Sequence, residues 1–241
     1  MKTELILALD VPEADRALEL IGKLKGLPIT YKVGSELFLA SGPELVKRLA
    51  GQGEKIFLDL KFHDIPNTVA KAAKQASNMG VQMFTAHLAG GKTMFQAIAK
   101  EFAMSMGDSH SKALPMVLGV SVLTSFDETG WKEVVHGAAK NTFPIKETVS
   151  NWVSLARDWG VGGVVCSAHE LSSIRGKFPE LFLVVPGIRP KGIAAQDQAR
   201  VMTPAEAHAE GANAIVVGRP VLDSTDPRKT VEEILNDLRN P

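Results

Sequence analysis

KIFLDLKFHDIPNTVAKAAKQASNM, residues 55–79, contains one complete repeat of the fold. Lys55–Leu60 is a short, nearly continuous apolar run, as suits a parallel strand buried on both faces. Pro66 then stands where a first helical turn tolerates proline, and Asn67–Met79 reads as that helix. The same alternation continues outward in both directions. Further strands are expected at Leu5–Leu9, Ile29–Val33, Met83–Ala86, Pro115–Val120, Gly163–Cys166, Leu181–Val185 and Ala214–Val217, which makes eight in all. Further helices are expected at Glu13–Lys25, Pro43–Gln52, Gly91–Phe102, Lys146–Trp159, Ala168–Lys177, Pro204–Glu210 and Pro227–Leu238. In the first of these, Ala14, Ala17, Leu18, Ile21 and Leu24 recur at spacings of three and four, placing them on one face.

Eight such units in 241 residues predict an α/β chain, a single-domain (β/α)8 TIM barrel over residues 1–241. A doubly wound sheet is the alternative. However, no Gly-x-Gly-x-x-Gly follows the first strand, and no Gly-x-x-x-x-Gly-Lys-Ser/Thr occurs. Two connections are long: Thr124–Ile145, with a short helix expected at Glu128–His136, and Pro186–Thr203. Long connections in compact domains are often binding loops. The second follows strand seven, beside the place where barrels commonly hold phosphate.

Lys plus Arg and Asp plus Glu both total 27, so the formal charge is zero and the basic excess of a nucleic-acid binder is missing. Hydrophobic residues make up 45% and charged residues 22%, the profile of a soluble globular chain. Cys166 is the sole cysteine, which excludes an intrachain disulfide and a Cys-cluster metal site. No apolar run approaches the ~20 residues of a membrane span. The N-terminal MKTELILALD reaches Asp10 too soon for a signal peptide. These features point to a cytoplasmic enzyme or small-ligand protein without nucleic-acid or membrane partners.

A barrel's active site lies at the carboxyl ends of its strands. The expected strand ends present Asp10, Lys32, Asp59-Leu60-Lys61-Phe62-His63-Asp64, His87, Ser121 and Thr124, Ser167, Arg189, and Gly218-Arg219. Asp59 and Lys61, two apart, share a face while the strand lasts. Neighbouring strands lie ~4.8 Å apart, so Lys32 and Asp10 come within reach and an alternating acid–base array forms. Its plainer reading is a salt-bridge layer closing the barrel top, although buried charges are costly. Carboxylates around Lys61 favour its ammonium form, whereas a Schiff-base lysine needs a free amine. Lys61 therefore reads as a fixed cation and proton donor, suited to a reaction that places negative charge on carbon, such as a decarboxylation without a carbonyl electron sink.

Phosphate binding is the second reading. In GANAIVVGRPV (Gly211–Val221) a buried strand leads to Gly218, whose N–H can meet an oxyanion, and to the planar fork of Arg219. Arg189 and Gln198 on the preceding long connection strengthen it. The plainer reading is a glycine turn with a surface arginine. The histidines His63, His87, His110, His136, His169 and His208 show no metal-binding spacing, and no metal site is expected. His87 reads as a lining residue, and Cys166 as a small buried hydrophobe.

Together these residues resemble the orotidine 5′-phosphate decarboxylase family, bacterial branch, over nearly the whole chain. FLDLKFHDIPNTV (Phe57–Val69) matches the family's Asp-x-Lys-x-x-Asp-Ile-Pro-Asn-Thr hallmark. LALD (Leu7–Asp10), YKVGSELF (Tyr31–Phe38), SVLTS (Ser121–Ser125), PGIRP (Pro186–Pro190) and VVGRPV (Val216–Val221) fit as well. The first part of the hallmark is shared with related sugar-phosphate barrels, and the Ile-Pro-Asn-Thr extension is more specific. The resemblance implies decarboxylation of orotidine 5′-phosphate to uridine 5′-phosphate, the last step of de novo pyrimidine nucleotide synthesis, without cofactor or metal.

By the same resemblance, Asp10 and Lys32 contact the ribose hydroxyls and Asp59 faces the departing carboxylate. Lys61 stabilises and protonates the C6 carbanion. Thr124 or Ser121 lies near the base, and Arg189, Gln198, Gly218 and Arg219 hold the phosphate. Asp64 and Thr68 enter the site of the partner in a homodimer. Two alternatives stand beside this: a magnesium-dependent sugar-phosphate decarboxylase or aldolase of the same superfamily, and a non-catalytic nucleotide-binding barrel.

Overall fold

The computed structural model describes residues 2–106, 113–136, 143–190 and 202–239. Its strands are β1 (Glu4–Ala8), β2 (Ile29–Gly34), β3 (Lys55–Phe62), β4 (Met83–His87), β5 (Met116–Val120), β6 (Gly163–Val165), β7 (Phe182–Val185) and β8 (Ala214–Val217). All pair in parallel in sequence order, and β1 pairs with β8 to close the barrel. The helices are α1 (Ala14–Lys23), α2 (Ser35–Gly51), α3 (Pro66–Asn78), α4 (Gly91–Met106), α5 (Glu128–His136), α6 (Ile145–Asp158), α7 (Ala168–Lys177), α8 (Pro204–Ala209), α9 (Arg219–Leu222) and α10 (Pro227–Asp237). The expected TIM barrel is the fold.

Local chemistry fixes the helix ends. Proline occupies the first turn of α3, α8 and α10, where a missing N–H is no loss. Thr203 and Glu206 cap α8 reciprocally: Glu206 N–H donates to Thr203 Oγ1 at 3.2 Å, and Thr203 N–H to Glu206 Oε2 at 2.8 Å. Asp226 accepts from Lys229 N–H at 3.1 Å at the start of α10. One expectation needs correction. The helix expected at Pro43–Gln52 is preceded by about two further turns, so α2 begins at Ser35, directly after β2. The two pieces meet at a kink where Gly42 takes φ 67°, a left-handed conformation natural to glycine, just before Pro43.

The alternation of each strand divides the core in two. Leu5, Leu7, Val33, Leu58, Val185, Ile215 and Val217 face outward and join the helices' buried stripes. Ile6, Ala8, Phe57, Met83, Leu118, Val184, Ala214 and Val216 point inward and fill the barrel. This apolar plug is the floor on which the carboxyl-end residues stand. Among the described residues no helix is long and apolar enough to cross a membrane.

Candidate active site

The inward-facing positions of adjacent strands stack the polar groups above the plug. Ala8 registers with Lys32, and Gly34 with Asp59. One step beyond β1, Asp10 accepts from Lys32 Nζ at 3.0 Å. Lys32 Nζ lies 3.7 Å from Asp59 Oδ2, and Lys61 Nζ lies 3.0 Å from both Asp59 oxygens. The order Asp10–Lys32–Asp59–Lys61 is thus a continuous alternating array. Gly34 leaves room for it, since a Cβ there would stand 3.3 Å from Lys32 Nζ.

The Lys32 and Asp59 side chains are only 11% and 13% exposed, so each charge depends on its partner. Removing one member of such a pair characteristically costs ~3–5 kcal/mol. The array does not close the barrel. It lines one side of a cavity of about 290 Å³, near the lower end of ligand-site volumes.

Around that cavity the structure gathers most of the expected site residues. Asp10, Lys32, Asp59, Lys61, Thr124, Arg189, Gly218 and Arg219 all line it. Val120, Val122, Val165, Val184 and Val216 add an apolar part to the lining, suited to a flat ring. Arg189 is buried, its backbone N–H bonded to Met202 O at 3.0 Å, so the two ends of the long connection after β7 meet at the cavity. Gln198 lies outside the described residues. Ser121 is buried but not on the cavity wall, because its hydroxyl turns to Val165 O at 3.3 Å. Of the two candidates on that segment, Thr124 faces the cavity.

Asp64 and Thr68 stand apart from this group. Both are exposed and neither lines the cavity of their own chain. Asp64 Oδ1 accepts from Ile65 N–H at 2.6 Å, which folds it onto the turn before α3. Among the described residues, no three His, Cys, Asp or Glu side chains are grouped as a metal ion requires.

Cys166 also lines the cavity, but burial pushes its thiol far above the ordinary range, which leaves it an apolar wall atom rather than a nucleophile. His87 sits beside the array with its ring 5.4 Å from that of His63. Burial, then the charges of His63 and Lys61, lower its pKa, against an opposing pull from Asp59. Ser167, one of the expected strand-end residues, is buried on the cavity wall. One polar residue escapes the reading of strand ends. Thr85, inside β4, is fully buried and bonds to Asp59 and to the backbone of Lys61. A threonine in the otherwise apolar run MFTA was its only trace in the sequence.

Comparison with known proteins agrees with this geometry. The family described as orotidine 5′-phosphate decarboxylase / HUMPS matches residues 3–234. An orotidine 5′-phosphate decarboxylase of Legionella pneumophila (strain Corby) is 45% identical over 239 residues, covering 99% of this chain and all of that one. One of Nitrosococcus oceani is 43% identical over 242 residues, covering 99% of each. Among solved structures, orotidine 5′-phosphate decarboxylase from Lactobacillus acidophilus superposes with a TM-score of 0.85 at 32% identity, covering 98% of this chain and 99% of that one. The full-length match and the shared barrel lead to one assignment: the chain belongs to the orotidine 5′-phosphate decarboxylase / HUMPS family.

Proposed function

We propose that this chain decarboxylates orotidine 5′-phosphate to uridine 5′-phosphate, the closing step of UMP synthesis, in the cytoplasm. The observation that carries the chemistry is Lys61, held 3.0 Å from both oxygens of Asp59 on the wall of the cavity. The bond between C6 and the carboxyl carbon breaks, its electron pair stays on C6 and carbon dioxide leaves. The Lys61 ammonium stabilises the developing carbanion and then gives it a proton, which solvent restores to the amine. Asp59 faces the departing carboxylate. A fixed charge aimed at where charge develops needs no reorganisation during the reaction.

The remaining groups bind. Asp10 and Lys32 take the ribose hydroxyls, and Lys32 keeps the array continuous. Thr124 meets the base, for which Ser121 is less well placed, its hydroxyl being turned to the β6 backbone. Arg189, Gln198, Arg219 and the Gly218 N–H hold the phosphate. Asp64 and Thr68 act from the partner subunit of a homodimer. Supporting this, both are exposed outside their own cavity, and the Ile65 between them leaves 68% of its surface in solvent. An exposed isoleucine flanked by functional polar residues suits a surface covered by a second copy.

The test is the loss of ultraviolet absorbance of orotidine 5′-phosphate with purified protein, with and without excess chelator. Turnover that survives the chelator supports this reading. Turnover of a sugar phosphate that the chelator abolishes supports the magnesium-dependent alternative. Uridine 5′-phosphate binding without any turnover supports a non-catalytic barrel.

A further inference from the structure

We propose that Thr85 is a positioning residue, whose single hydroxyl sets both the Asp59 carboxylate and the Lys61 backbone for the reaction. The inference rests on the decarboxylase reading above. Its basis is an irregularity in the barrel wall. β3 and β4 pair Phe57 with Met83 and Leu58 with Phe84, and pairing resumes only at Phe62 with Ala86. Three residues of β3, Asp59, Leu60 and Lys61, therefore stand opposite one residue of β4, Thr85. Such bulges re-aim side chains and interrupt the hydrogen-bond ladder.

Lys61 lies inside the bulge with φ 49°, the one positive φ of a non-glycine among the described residues. Its N–H donates instead to Thr85 Oγ1 at 2.9 Å. The same oxygen donates its proton to Asp59 Oδ1 at 2.9 Å. Lys61 Nζ closes the ring by bonding both Asp59 oxygens at 3.0 Å.

Thr85 is wholly buried and does not line the cavity, so it acts on substrate only through these two neighbours. Its hydroxyl has one proton to give, and the Lys61 N–H fixes which way that proton points, namely at Asp59. The acceptor for a strained backbone and the donor to the central carboxylate are thus the same atom. Displacements near 1 Å in a reacting group can cost on the order of 100-fold in rate. Loss of this hydroxyl frees Lys61 to leave its left-handed conformation and Asp59 to rotate.

The test compares Thr85→Val, which keeps the branched shape without the hydroxyl, with Thr85→Ser, which keeps the hydroxyl. Thr85→Ala serves as a second hydroxyl-free variant should valine fail to fold. The hydroxyl-free variant should lose about 10- to 100-fold in kcat, with KM for orotidine 5′-phosphate and affinity for uridine 5′-phosphate within about threefold of wild type. Thr85→Ser should stay within about threefold of wild-type kcat. A hydroxyl-free variant with wild-type kcat would overturn the proposal. So would equal losses in the hydroxyl-free and serine variants, or a loss confined to KM, since either would mean packing or binding. All values are ratios to the parent chain, so an inactive parent would defeat the functional reading itself, whereas an active parent with an unaffected hydroxyl-free variant would defeat only this inference.

Discussion

His87 ends β4 beside the charged array, and burial together with His63 and Lys61 holds its pKa below the usual value of 6.5. The sign of its pH dependence follows. Above about 6.5 the imidazole is neutral in both folded and unfolded chains and contributes nothing. Below that, the unfolded chain takes up a proton that the folded chain refuses, so stability falls as the pH drops toward the folded value. Chemical-denaturation midpoints measured from pH 7.5 to 5 should therefore fall less steeply in His87→Asn than in the parent, and parallel curves would assign the acid sensitivity to other groups. At this scale the sequence was partly legible. Asp59 and Lys61 two apart on a strand, with Lys32 one strand away, predicted the array that the distances describe. The left-handed backbone of Lys61 was not legible, because a lysine carries no signal for φ 49°; only the register of β4 and the Thr85 hydroxyl define it.

At the scale of elements, β7 and β8 deliver the groups proposed to hold the phosphate. Each leads straight from a buried run to an arginine on the cavity wall, Arg189 and Arg219. Binding energy from a part of the substrate remote from the reaction can be used to raise kcat. Arg219→Ala should therefore lower kcat/KM for orotidine 5′-phosphate by 10-fold or more, about 1.4 kcal/mol of transition-state binding. Added guanidinium should recover part of the loss, and the phosphate-free nucleoside should barely distinguish variant from parent. Equal losses on both substrates would place Arg219 in folding instead. The strand positions were legible to within one or two residues because parallel strands buried on both faces read as unbroken apolar runs. The first part of α2 was not, because Ser35–Ser41 is too short to show a period and Pro43 imitates a helix start.

At the scale of the molecule, the closed barrel was legible from the count of β/α units, since eight parallel strands of this length close on themselves. Asp64 and Thr68 were legible as motif residues, but only the family resemblance, and no spacing in the sequence, assigned them to a partner's site; both are exposed away from their own cavity. Subunit mixing tests that assignment. Lys61→Ala and Asp64→Ala should each be nearly inactive alone. If Asp64 acts across a two-fold interface, the mixed dimer carries both lesions in one site and none in the other, and activity returns to about half the parent level. If Asp64 acts within its own chain, every site keeps one lesion and nothing returns.

The claim beneath all of these is that Lys61 is the cation that makes the carbanion accessible. The direct measurement is kcat of Lys61→Ala on orotidine 5′-phosphate, with uridine 5′-phosphate affinity as the check on folding. One fixed electrostatic donor contributes roughly 10²–10³ in rate, and a group that also supplies the proton should exceed that. The account predicts a loss beyond that range with product binding kept; a well-folded variant that retains more than about a tenth of the parent kcat, a difference of less than ~1.4 kcal/mol, would contradict it.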